Sequence, residues 1–282
     1  MHTAPMASPH PFDQALALRH SDLASGHFIG STHPAYWNMV GPFGGMTAAL
    51  ALQAVLRHPE LLGEPVALTV NFAAAVTEGE FEIVAQPART NRSTQHWTME
   101  VRQRDAEGRM QVNTTATAVT AVRRQTWGEN DCPMPEVPAP QAVERFSIGP
   151  KGVAWLEQYE MRPVSGALPR VWDGSGHHSE TRIWVRDAAP RTLDFASLAA
   201  MSDVFYPRVW LRRATVVPAG TVSITTYFHA TGAQLEQVGT GHLLGRATGQ
   251  QFANGYFDQS AQLWSEGGTL LATSNQIVYY KE

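Results

Sequence analysis

The chain carries one strand pattern twice. Val66–Phe72 reads VALTVNF and Val222–Phe228 reads VSITTYF, with the two phenylalanines 156 positions apart. Both stretches alternate apolar and polar residues, as a strand with one buried face should. Further on, Gly108 in DAEGRMQVNTTATAV corresponds to Gly268 in SEGGTLLATSNQIVY, 160 positions apart. In each case the glycine ends a polar hairpin turn and a long final strand follows. Offsets that agree within four residues predict a duplicated module with a small insertion.

Between the copies lies a stretch, 125–150, that holds Pro133, Pro135, Pro138, Pro140 and Pro150 and few periodic apolar residues. That composition favours an extended, semi-rigid connector over a packed element. It predicts a first module over 1–124, the connector over 125–150 and a second module over 151–282. Each module shows one helix followed by grouped strands, which argues for an antiparallel α+β layer and against a βαβ winding. The first helix, GGMTAALALQAVLRH from Gly44 to His58, carries no charge before Arg57. A helix that is apolar nearly all round is buried on most sides. A sheet curled around a central helix would bury it so, which is the hotdog arrangement.

Composition excludes several functions. The net charge of −4 and the absence of a basic stretch argue against nucleic-acid binding. No stretch approaches the ~20 apolar residues of a membrane helix. Met1–Pro11 lacks the apolar run of a secretory leader. A single cysteine, Cys132, rules out an internal disulfide and suits a reducing compartment, so the expected location is the cytoplasm.

The common hydrolase signatures are missing. There is no G-x-S-x-G elbow for a serine nucleophile. His177 and His178 are adjacent in a glycine-rich stretch and diverge on most backbones, so a solvated loop is a better account than a metal site. GTGHLLG at Gly239–Gly245 has the wrong spacing for a dinucleotide loop. Cys132, among prolines, reads as inert.

Four polar features in apolar contexts remain. GPFGG at Gly41–Gly45 leads into the buried helix, and a glycine turn there exposes N–H groups at the positive end of the dipole. Those N–H groups suit a developing oxyanion, while close packing against a neighbour explains the glycines equally well. Asp203 stands late in an apolar helical run that Pro207 must end, where a carboxylate is electrostatically disfavoured. Gln276 lies in the final strand amid residues that look buried, so its amide needs partners. Thr221 opens the strand TVSITTYFH, where threonine is a good strand former in any case.

Together these residues resemble the bacterial acyl-CoA thioesterase II family. Phe43–Gly45 is similar to the family's phenylalanine–glycine–glycine before the first helix, and Ser202–Asp203 to the serine–aspartate of its second. Thr221–His229 and Leu271–Gln276 resemble the strands that carry its catalytic threonine and glutamine. The resemblance implies a double hotdog, two antiparallel sheets each wrapping a long central helix. It implies hydrolysis of an acyl-CoA without a cofactor or metal, with Asp203, Thr221 and Gln276 catalytic. Gly44, Gly45 and Met46 are expected to form the oxyanion site. At the 160-residue offset Gln276 falls on Ala116, so the first module lacks a copy of the amide. Met46 and the run Val222, Ser223 and Ile224 depart from the family's polar and charged residues at those places. A non-catalytic acyl-CoA or fatty-acyl binding protein is the alternative. An enoyl-CoA hydratase would need an aspartate–histidine pairing on one loop, for which there is no suitable place. The fused pair supplies the usual hotdog dimer in one chain, and homo-oligomers could form through exposed sheet edges or faces.

Overall fold

The computed structural model of the protein describes residues 9–22, 24–146 and 153–282. Most of Met1–Pro11, where no leader was expected, and the expected boundary at 150/151 lie outside these residues. The first half runs α1 (Pro11–Ala15), β1 (Arg19–His20), β2 (His27–Ser31), α2 (Gly44–Leu56), β3 (Glu64–Phe72), β4 (Glu80–Thr90), β5 (Thr94–Arg104) and β6 (Met110–Ala121). The second half runs β7 (Tyr159–Ser165), β8 (Thr181–Asp187), α3 (Phe195–Met201), α4 (Arg208–Arg213), β9 (Ala219–Phe228) and α5 (Gly232–Val238). It ends with β10 (Leu243–Thr248), β11 (Phe252–Ala253), β12 (Tyr256–Ser265) and β13 (Leu270–Tyr280).

The expectation of two separate sheets needs correction, because the strands form one continuous antiparallel sheet. Its order is β1-β2-β4-β5-β6-β3-β9-β13-β12-β10-β8-β7, with β11 appended to β12. The order is palindromic in type about the β3–β9 seam: each half contributes its post-helix strand at the centre and its last strand next to it. At the seam Thr69 lies directly opposite Thr225, and their hydroxyl oxygens are 2.9 Å apart. These are the equivalent residues of the two copies at the 156-residue offset, so the local pseudo-dyad passes between them. Strand pairing also refines the repeat. Phe72 faces Thr114 in the first half and Phe228 faces Ala272 in the second, so the final strands are related by 158 positions. The counterpart of Gln276 is therefore Ala118 and not Ala116; either way the first half has a methyl where the second has an amide.

Helix α2 packs on β4, β5 and β3 and on α3. Its alanines permit close approach, and Ala49, Ala51, Leu52, Ala54 and Val55 are completely buried. The second helix is not long. Asp194 caps α3 by accepting from Ser197 N–H (2.8 Å), and α3 ends after seven residues at Met201. Strand β10 begins only at Leu243, since 232–238 forms α5 behind a Thr231/Gln234 capping box.

The described part of the proline-rich stretch, 125–146, holds only the short 3₁₀ turn Pro140–Ala142 and is docked on the second half. Trp184 and Trp264 donate their indole N–H groups to the carbonyls of Pro138 (2.9 Å) and Cys132 (3.0 Å). Met134, Val137 and Val143 pack with Trp184, Leu244 and Trp264. Arg123 ties the halves together, its Nη2 donating to Pro65 O (2.9 Å) and Phe228 O (2.7 Å). No helix among the described residues is long and apolar enough to cross a membrane.

Candidate active site

Asp203 follows the C-cap of α3, in the turn before α4. Gln276 projects from the inner face of β13, 5 % exposed. Its Nε2 donates to Asp203 Oδ1 (2.9 Å), and its Oε1 accepts from the Thr221 hydroxyl (3.2 Å). The three residues expected from the sequence are thus one connected chain of hydrogen bonds. Thr221 faces inward because of a bulge. Along β9 the inner face is taken by Ile224, Thr226 and Phe228, which alone would turn residue 221 outward. The β9–β13 register slips between Ile277 and Val278, so Thr221 pairs with Val278 and comes round to the inner side.

The first half supplies the other wall. Phe43, at the N-cap of α2, stacks on Trp155 with ring centroids 4.1 Å apart and planes 7° from parallel. This anchors the start of α2 against the second half, and Gly45 N–H hydrogen-bonds the Asp203 carboxylate. The need for glycine is steric. A Cβ at Gly44 would lie 2.7 Å from Asp203 Oδ2, and one at Gly45 2.5 Å from the Ala200 carbonyl oxygen. Close packing alone is enough to require both glycines. Met46, expected as an oxyanion donor, has its N–H bonded to Phe43 O at 3.0 Å, so that group is already engaged. Gly44 lines the cavity; Gly45 and Met46 are not part of its lining.

Burial pushes the Asp203 carboxyl up from 3.8 to about 7, although the bonds from Gln276 and Gly45 pull the other way. The desolvation of a lone carboxylate outweighs two donors here. No arginine, lysine or histidine is among the groups that shift it. A carboxylate of this kind is a base suited to neutral pH.

The three residues border a cavity of about 440 Å³ at the junction of the halves. Its walls are largely apolar, including Phe72, Trp155, Phe205, Trp210 and Phe257. The loop with Met39 and Val40, 59 % and 78 % exposed, contributes to its rim. Among the described residues no group of three or more His, Cys, Asp or Glu is placed to hold a metal. His177 and His178 lie apart from this cavity, beside Arg212 and Arg213.

A helix packed on an antiparallel sheet, beside an apolar cavity with a carboxylate that titrates near neutrality on its wall, fits a hotdog-fold protein with a site for an apolar ligand. The comparisons narrow this class. The acyl-CoA thioesterase N-terminal domain matches residues 33–122 and the acyl-CoA thioesterase C-terminal domain residues 129–280. The chain belongs to the acyl-CoA thioesterase family and is a thioester hydrolase. Among solved structures it is similar to a conserved hotdog-fold protein of unknown function from Alicyclobacillus acidocaldarius. That pair shares 45% identity over 98% of this chain and 99% of the other, with a TM-score of 0.89. An acyl-CoA thioesterase II from Mycobacterium marinum shares the fold at 18% identity, over 96% of this chain and 98% of its own, with a TM-score of 0.73. The tesB protein of Mycobacterium avium subs paratuberculosis, at 18% identity and TM-score 0.76, covers 97% of this chain and 100% of its own. No curated protein matches the chain.

Proposed function

We propose that the protein hydrolyses an acyl-CoA to the free acid and CoA by direct attack of a water held by Asp203, Thr221 and Gln276. The observation that carries this is the hydrogen-bonded chain Thr221–Gln276–Asp203 on the wall of an apolar cavity. Two hotdog modules, 1–124 and 151–282 joined by 125–150, fit the palindromic sheet order, with the site between them. The lone Cys132 suits a cytoplasmic enzyme.

The steps balance without a metal or a covalent nucleophile, because a thioester is already activated. Asp203 accepts one proton of the water as its oxygen bonds to the thioester carbon. Thr221 donates its own proton to Gln276 Oε1, which leaves its oxygen free to accept the water's second hydrogen. Held at both hydrogens, the water points a lone pair at the acyl carbon, which lowers the entropy cost of attack. The carbonyl oxygen becomes negative and is met by the N-terminal end of α2, where Gly44 leaves the backbone uncovered. Collapse of the tetrahedral adduct breaks the C–S bond, and the proton on Asp203 passes to the CoA thiolate.

Single-turnover hydrolysis in ¹⁸O-labelled water tests this route. Direct attack puts one label in the released acid and none in Asp203. Label recovered in the Asp203 carboxylate would mean an acyl–aspartyl intermediate and would refute the water mechanism.

A further inference from the structure

The cavity contains a polar group for which the hydrolysis has no use. Gln259 lies on the inner face of β12, directly across from Gln276 on β13, and is 3 % exposed. The amide of Gln276 is engaged with Thr221 and Asp203. The side chain of Gln259 lines the cavity and has no hydrogen-bond partner among the described residues. Buried amides without partners are rare, and one on a cavity wall is held ready for a ligand.

Around Gln259 the cavity wall is apolar: Phe205, Trp210, Phe257 and Val278.

We propose that Gln259 makes this enzyme selective for acyl groups that carry a hydroxyl or oxo oxygen a few carbons from the thioester. The proposal rests on the thioesterase reading of the site and goes beyond it to the substrate class. A saturated alkyl chain filling the cavity strips water from the Gln259 amide and gives nothing back. An oxygen on the chain restores the bond. Residues facing each other across two strands stand about 5 Å apart. With the thioester carbon beside Gln276, that spacing places the Gln259 amide near the third or fourth acyl carbon. Sites built to bond a substrate oxygen reject the analogue that lacks it, because their buried polar groups are then left unpaired.

The test is kcat/KM on matched acyl-CoAs of one length, hexanoyl-CoA against 3-hydroxyhexanoyl-CoA and 3-oxohexanoyl-CoA, with wild type, Gln259→Leu and Gln259→Met. Wild type should favour at least one oxygenated member by about 10-fold or more, the effect of one unpaired buried group. In Gln259→Leu that preference should fall to about 3-fold or less, through loss on the oxygenated substrate while hexanoyl-CoA is kept or improved. Gln259→Met should move the ratio the same way, and it serves if Gln259→Leu does not fold. Equal losses on all three substrates would give Gln259 a structural role and overturn the proposal. Hydrolysis of hexanoyl-CoA by wild type without any preference would overturn the proposal and leave the thioesterase reading standing. No hydrolysis of any of the three would overturn both.

Discussion

Replacing Asp203 by Asn should make the protein more stable as the pH rises, while removing its activity. In the folded protein the carboxyl titrates near 7, against 3.8 when it is free in water. Its folded value is raised, so folding binds a proton in the window between these values. Relative stability is full below about pH 4 and is lost as pH climbs to 7. Two pH units in this window, from 5 to 7, correspond to about 3 kcal/mol. The carboxylate is only partly buried at the cavity wall, so water admitted there reduces this to about 2 kcal/mol. Asparagine pays none of it. Its amide oxygen keeps the bond from Gln276, although one rotamer sets its NH₂ against Gly45 N–H, a pH-independent offset. Asp187 is also pushed up to about 7 by burial, but it is common to both proteins and cancels in the difference. The assay is thermal unfolding of wild type and variant at matched ionic strength from pH 5 to pH 8. The midpoint of Asp203→Asn minus that of wild type should grow by about 4 °C over this range. A difference that stays flat would show that Asp203 titrates normally and would remove the basis for its role as a base at neutral pH.

Other expectations follow from the same geometry. Gly44→Ala places a methyl 2.7 Å from Asp203 Oδ2, at the movable end of a side chain. It should leave the fold intact and lower kcat/KM by about 100-fold through misplacement of the base, read by steady-state kinetics beside circular dichroism. The initial-rate profile of wild type should rise with pH through about 7 and level off above it, as the Asp203 base ionises. A rate that falls over that interval would assign the proton differently. Arg123→Met removes the guanidinium that bridges Pro65 and Phe228 across the seam. It should cost about 1.5–3 kcal/mol in denaturant unfolding, the value of hydrogen bonds from a charged donor.

Some of this was legible in the sequence for physical reasons. Helix α2 was visible because Ala and Leu cover it all round, and the seam strands because they alternate with a period of two. Asp203, Thr221 and Gln276 stood out as polar residues in apolar surroundings, and the structure brings them together. What periodicity does not encode is which strand edges meet. The β3–β9 junction that merges two expected sheets into one is a choice of partner, made between chain segments far apart in sequence. The inward turn of Thr221 depends on a bulge that no residue type announces. The short helices α4 and α5 carry too few turns for a pattern. Met46 was misread because an N–H at a helix start looks free until its carbonyl partner, here Phe43 O, is located. The docking of the connector rests on two indole N–H groups from distant strands. Gln259 did leave a signal. In YFDQSAQLW the inward positions Phe257, Ala261 and Leu263 are apolar, and Gln259 is the polar residue that breaks their run.

The most direct test of the account is thiol release from a panel of acyl-CoAs, short to long, by wild type and by Asp203→Asn shown to be folded. The account predicts turnover by wild type at pH 8 and a loss of about 100- to 10,000-fold in the variant. Turnover that survives in Asp203→Asn, or no thiol release by wild type from any acyl-CoA, would contradict it.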